Sequence, residues 1–168
     1  MTNEVKENGG PDLKPIIRLL TWFTACYLFQ LAVYEGSSQG IWFWFQAQIR
    51  PAWSLPVWFF TPTWTILYGL IAWASWQIWN SPADPKRTLA LRLFAAQLLL
   101  NVTWPWLFYA WHKTGVASTE MVLLWVTAVA TTTCFWRVKP VAGRLMIPFA
   151  LWIFYLAVLN VVVWKLNR

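Results

Sequence analysis

Five stretches of this chain carry no charged side chain: Leu19 to Tyr34, Pro51 to Ala83, Leu93 to Trp111, Met121 to Trp136 and Leu145 to Trp164. A helix that crosses the hydrocarbon core of a bilayer needs about 20 predominantly apolar residues. The first and fourth stretches reach that length through their flanks, from Pro15 to Tyr34 and from Val116 to Trp136. The second, at 33 residues, is too long for one helix, so its first part belongs to the preceding connection. The pattern predicts an all-α membrane protein, a bundle of five transmembrane helices over about residues 15–35, 56–79, 89–111, 116–137 and 143–165.

Three connections are short, Asn80 to Lys86, His112 to Gly115 and Lys139 to Gly143, which predicts consecutive helices as antiparallel neighbours. The first connection, residues 36–55, is long and reads IWFWFQAQIRPAW over much of its length. Four aromatics within five residues do not suit a disordered loop. They predict a lid with a short helix, folded over one mouth of the bundle. Residues 1–14 mix acids and bases and show no small-residue cleavage site, so a short disordered cytosolic tail is expected ahead of a retained helix, with 15–168 as one domain. Pro62, Pro105 and Pro148 fall inside three spans, where each removes a backbone donor and predicts a kink.

Composition agrees: 59% hydrophobic and 11% charged residues do not suit a soluble globular fold. The net charge of +7 is compatible with nucleic acid in principle, but the bases sit singly or in pairs at helix ends, so no nucleic-acid partner is expected. With five spans, nine basic residues fall on the N-terminal side and four (Arg50, Lys113, Lys165, Arg168) on the other. The positive-inside rule then places the N-terminus in the cytoplasm. Cys26 and Cys134 belong to no paired motif and read as small buried hydrophobes.

Sixteen tryptophans change the picture further. Interfacial belts use Trp at helix ends, yet Trp64, Trp73, Trp104, Trp125 and Trp152 fall in mid-run. An indole at that depth faces lipid with its N–H unsatisfied, or it lines an interior with a partner. Trp64/Tyr68, Trp104/Phe108 and Trp152/Leu156 are i, i+4 pairs, each on one helical face, and Asn101 shares the face of Trp104. Such faces either pack helix on helix or wall a pocket.

The segment W-S-L-P-V-W-F-F-T-P-T-W-T-I-L-Y, Trp53 to Tyr68, resembles the signature W-x-P-P-x-W-x-F-x-P-V-W-T-x-L-Y of the TspO/MBR family, the tryptophan-rich sensory and translocator proteins or peripheral-type benzodiazepine receptors. Trp44-Phe45 matches the family's upstream W-Y. L-N-V-T-W-P-W-L-F (Leu100 to Phe108), F-W-R-V (Phe135 to Val138), L-M-I-P-F-A-L-W (Leu145 to Trp152) and the closing L-N-V-V-V-W-K-L-N are similar to its later motifs, in the same order. Two positions depart from the pattern. Leu55 stands where the family has the first proline of P-P. Val161 stands where it has the tyrosine of L-N-Y, so no sterol site is expected through that weak motif.

The resemblance implies a five-helix bundle, a homodimer, and a pocket opening toward the first loop. Its ligands are porphyrins of the protoporphyrin type and other flat hydrophobic molecules, with no required cofactor. Position by position, it implies ligand contacts from Phe45, Trp53, Trp64, Tyr68, Asn101, Trp104, Trp152 and Leu156, with Phe108 left to packing. Arg50 in the loop is placed to meet a porphyrin propionate. Three functions follow as expectations: a receptor that senses, scavenges or transports porphyrin; a light-dependent porphyrin-degrading enzyme with Trp64 and Trp152 as redox candidates; or a membrane adaptor without a ligand of its own. Ala90, Ala95 and Ala96 are small enough for close helix contact in a dimer but form no regular repeat. Glu120, one turn inside its span, is expected to pair with a base or water. His112, at a helix end, is expected to be a solvated interfacial residue, and no metal set is expected.

The charge asymmetry yields a direct test. On a background lacking Cys26 and Cys134, Lys86→Cys should be refractory to an impermeant thiol reagent added outside intact cells, while Arg50→Cys should label. Labelling at position 86 from outside would invert the topology.

Overall fold

A computed structural model describes residues 13–168 apart from Gln39, so the tail expected over residues 1–14 lies outside the described residues as far as residue 12. The helices are α1 (Lys14–Ser38), the one-turn α2 (Trp44–Ala47), α3 (Phe60–Trp79), α4 (Pro85–Pro105), α5 (Thr114–Val138) and α6 (Pro140–Leu166). A 3-10 turn, Val57–Phe59, leads into α3, and a π-helical turn, Trp106–Ala110, follows α4. With these turns included, five segments are long and apolar enough to cross a membrane: Ile16–Ser38, Val57–Trp79, Pro85–Ala110, Thr114–Val138 and Pro140–Leu166. α4 and α6 start earlier than hydropathy alone suggests, because Pro85 and Pro140 each occupy a first helical position where a missing N–H costs nothing.

α1 packs on α3 and α4, α3 on α6, α6 on α5, and α5 on α4, which closes a ring in the order α1-α3-α6-α5-α4. The expectation that short links make neighbours fails for α3 and α4, which meet only lightly, since α1 packs against both. Small residues at the seams let the helices approach closely: Ala72, Ala74 and Ser75 on α3, Ala117 and Ala128 on α5, and Ala142 and Ala157 on α6 are buried. Hydroxyls in the spans are satisfied locally. Thr127, Thr131, Thr132 and Thr133 of α5 each donate to the carbonyl four residues back at 2.7–2.9 Å.

The three prolines act differently. Pro62 is the third residue of α3, where its missing donor breaks no helical bond, so the expected interruption of that span does not occur. Pro105 ends α4 and gives way to the π-helical turn; Pro148 lies within α6. The mid-run tryptophans divide as well. Trp73 faces outward and Trp125 packs half-buried against Phe154 at 5.3 Å, whereas Trp64 and Trp104 are buried. Both carboxylate oxygens of Glu120 are shielded, and no basic side chain among the described residues bonds to them.

The long first connection crosses the end of the bundle and is tied to α6. The Asn167 amide clamps the main chain of Ile49: the Ile49 N–H donates to Asn167 Oδ1 at 2.9 Å, and Asn167 Nδ2 donates to the Ile49 carbonyl at 2.9 Å. Phe45 of α2 is fully buried between Phe108 at 5.9 Å and Tyr109 at 5.6 Å. The imidazole of His112, exposed and on a left-handed residue with φ of 53°, stacks on Trp44 at 4.4 Å.

Two glycines set the tightest approaches. A Cβ on Gly40 would overlap the Tyr109 carbonyl, and one on Gly143 would stand 2.7 Å from Trp136 Cα. Backbone cannot yield as a flexible side chain can. Gly143→Ala should therefore force α5 and α6 apart and cost about 1–3 kcal/mol, seen as a lower Tm in detergent. Gly69→Ala, whose Cβ would meet only the tip of Tyr27 at 3.3 Å, should be close to neutral in the same assay.

Candidate ligand-binding site

At the lid end, a cavity of about 210 Å³ lies between α1, the first connection and α3. Gln30, Val33 and Tyr34 of α1 form one wall and Phe60, Thr61 and Trp64 of α3 the other. Ile41 and Trp42 of the lid reach it from above, and Trp104 and Tyr109 from the far side. Among the described residues no charged side chain lines it. The far wall owes its shape to the π-helical turn. Its wider winding carries Phe108 and Tyr109 inward together, with the two rings 4.9 Å apart and perpendicular.

Below this wall the buried polar groups answer one another. Trp104 Nε1 donates to Asn160 Oδ1 at 3.0 Å, and Asn160 Nδ2 donates to the Leu156 carbonyl at 2.8 Å. The Tyr68 hydroxyl donates to Asn101 Oδ1 at 3.0 Å; Asn101 Nδ2 is buried and has no partner among the described residues. On the α1 wall, Gln30 Nε2 donates to Thr65 Oγ1 at 3.0 Å, and the Thr65 hydroxyl proton goes to the Thr61 carbonyl at 3.0 Å. Thr65 can then only accept from Gln30, which fixes the amide and leaves Gln30 Oε1 shielded with no donor among the described residues.

Of the eight residues named from sequence as ligand contacts, Trp64 and Trp104 line the cavity and the other six do not. Phe45 plugs the lid. Tyr68 and Asn101 lie buried and bonded to each other, and Leu156 is buried in α6. Trp152 stands behind the wall, edge-on to Trp64 at 6.3 Å and 5.6 Å from Phe60, with its own Nε1 buried and without a partner among the described residues. Trp53 is 48% exposed and rests edge-on against Tyr155 at 5.9 Å. The cavity lies on the α1 side because Trp152 and Tyr155, stacked 5.3 Å apart, occupy the α6 side. Sequence reasoning missed Gln30, Tyr34 and Trp42. Gln30 left a signal, an amide midway along a charge-free run.

Among the described residues no three His, Cys, Asp or Glu side chains converge as a metal set would. The chemistry on offer is aromatic and amide, that of a pocket for an apolar molecule.

The sequence profile of the TspO/MBR family matches residues 19–165. The chain belongs to the TspO/MBR family. It is 34% identical over 127 residues to the translocator protein of Sus scrofa, covering 74% of this chain and 75% of the relative. To the tryptophan-rich protein TspO of Chlorobaculum tepidum it is 31% identical over 120 residues, 71% of this chain and 76% of that one. To the protein CrtK of Rhodobacter capsulatus it is 29% identical over 125 residues, 74% and 78%. Against the TspO/MBR motif, the departure at Leu55 has a structural consequence. Its N–H donates to the Tyr155 hydroxyl at 3.0 Å, a bond no proline could make, and it ties the lid to α6 a second time.

The Tyr68–Asn101 pair can be tested by a double-mutant cycle. Tyr68→Phe leaves the Asn101 carbonyl without its donor and should cost about 1–3 kcal/mol. Asn101→Leu should make the loss of the Tyr68 hydroxyl cheaper by about 1 kcal/mol, because the orphaned group goes with it. Thermal unfolding of the four proteins in one detergent measures both terms; additive losses would mean the two side chains do not interact.

Proposed function

We propose that this integral membrane protein is a receptor for porphyrins of the protoporphyrin type and similar flat hydrophobic ligands, which it senses, scavenges or transports, with its N-terminus cytoplasmic. The observation that carries the reading is the uncharged, aromatic-walled cavity at the lid end, with Trp64 and Trp104 both in its walls. Ring faces stacked on a planar macrocycle contribute about 0.5–1.5 kcal/mol each beyond area burial. Arg50, 5.3 Å above the Phe45 ring, lies one residue removed from the cavity wall and can meet a propionate at the mouth. At about 210 Å³ the cavity is smaller than the roughly 300–1,000 Å³ that drug-sized ligands occupy. A macrocycle therefore enters only with displacement of the lid, and binding should be slow to set in relative to diffusion.

A second reading, light-dependent breakdown of the bound pigment, draws on one specific arrangement. Trp64 on the cavity wall, Trp152 edge-on behind it at 6.3 Å and Tyr155 stacked on Trp152 at 5.3 Å place oxidisable rings side by side. In this reading Trp64 and Trp152 are the redox candidates, and Phe in either place keeps apolar bulk while being harder to oxidise.

Titration of protoporphyrin IX into purified protein in darkness, followed by pigment absorbance and tryptophan fluorescence, tests the first reading. Trp64→Ala should weaken binding about tenfold or more, equivalent to roughly 1.4 kcal/mol. Trp136→Ala, at the far end of the bundle, should change affinity less than twofold. Equal losses in both, with the fold intact, would refute the pocket. Repeating the titration under light separates the two readings: bleaching faster than that of detergent-dissolved pigment, and suppressed in Trp64→Phe without loss of binding, would make the protein an enzyme.

A further inference from the structure

The end of the bundle opposite the lid carries an open cleft of about 760 Å³ between the first turns of α1, the end of α3 and the start of α4. Ile17, Arg18, Trp22, Trp79, Asn80 and Arg87 line it. Two furrows run on from it. One follows α1 past Ile17, Leu20, Thr24 and Leu28 and shares Ile17, Thr21 and Ala25 with the cleft. The other follows α4 past Leu91 and Ala95 and shares Trp79 and Arg87. We propose that this surface is a binding site for an anionic phospholipid, the phosphate held between Arg18 and Arg87 and the two acyl chains lying in the two furrows.

The headgroup end is built for an anion. The Arg87 guanidinium is held 5.3 Å above the Trp79 ring, and Trp79 is itself braced edge-on by Trp22 at 5.4 Å. A guanidinium fixed on an aromatic face keeps its donor fork free for phosphate oxygens. Among the described residues the cleft has no acidic lining residue. Asp84, the neighbouring carboxylate, caps α4 by accepting from the Lys86 N–H at 2.9 Å, and the positive end of the α4 dipole adds to the field there. Arg92, along the α4 furrow, adds a third positive charge.

Depth fits as well. Arg18 and Arg87 stand at the ends of membrane spans, at headgroup level, and the furrows lead from them toward the middle of the bilayer. From Ile17 to Leu28 the α1 furrow extends about 16 Å, roughly one leaflet, and the α4 furrow from Arg87 to Ala95 about 12 Å. Two apolar tracks diverging from one basic depression match a two-chain lipid. A soluble phosphate ester would use only the depression.

The test uses the full-length protein, delipidated in a neutral detergent and titrated with dioleoylphosphatidylglycerol or dioleoylphosphatidylcholine, with retained lipid read by native mass spectrometry. The anionic lipid should be held preferentially. Near a membrane surface each Arg contributes an attraction of the order that converts to about fivefold in affinity, so Arg18→Gln and Arg87→Gln should each lower the preference about fivefold. Arg144→Gln, a base at the same end but over Trp136 on the α5–α6 side, should leave it unchanged. Equal loss in Arg144→Gln would mean diffuse surface charge and overturn the site. Thr24→Trp, which fills the α1 furrow without touching a charge, should also weaken retention; no effect would remove the acyl-chain assignment. Millimolar glycerol 3-phosphate should fail to compete, and effective competition would make this a phosphate site and not a lipid site.

Discussion

Hydrocarbon offers a backbone N–H or C=O nothing to bond, and an unsatisfied group there costs roughly several kcal/mol, so every polar group that enters the bilayer must find its partner within the protein. The architecture follows from this constraint. Five spans are helical because a helix satisfies its own backbone, and the span threonines return their hydroxyls to the carbonyl one turn back. Where the helical ladder is broken at Pro105, the chain does not unwind. It closes a π-helical turn in which the Trp111 N–H reaches the Trp106 carbonyl at 2.9 Å. The break is thereby made safe, and its wider winding supplies two of the rings at the lid end.

The same constraint acts on side chains. α4 turns Gln97, Asn101 and Trp104 into the bundle at helical spacing, and two of the three find partners across it, Tyr68 on α3 and Asn160 on α6. These bonds cross the ring of helices and fix register where apolar packing alone would tolerate sliding. Both amide atoms of Gln97, with Asn101 Nδ2 and the Glu120 carboxylate, stay unpartnered among the described residues. Of these groups Asn101 stands one helical turn from Trp104, which lines the cavity.

Between the lid and α6 the chain closes on itself. Asn167 grips Ile49 from 118 positions away, and Tyr155 grips Leu55 from 100. Tyr155 also stacks on Trp152, so the ring that holds the lid belongs to the aromatic group that backs the cavity wall at Trp64. Lid position and cavity shape are therefore set by one cluster of α6. A ligand larger than the cavity must loosen both together.

The sequence by itself determined the class of protein and the number of its spans, because both rest on local composition: charge-free length against bilayer thickness. It also carried the family, through motifs whose order survives even where single residues differ. It showed that Trp64, Tyr68, Trp104 and Trp152 share faces with their neighbours, since i, i+4 spacing is a property of one helix. It did not determine which faces meet. A helix with apolar residues all round gives no direction for the core, so the order α1-α3-α6-α5-α4, the light contact of α3 with α4 and the outward turn of Trp73 are tertiary facts. Pro62 read as a kink because the start of its helix could not be located to within a turn. The cavity moved to the α1 side because Trp152 and Tyr155 fill space on the α6 side, an outcome of how large rings pack against one another and not of where each stands in the chain.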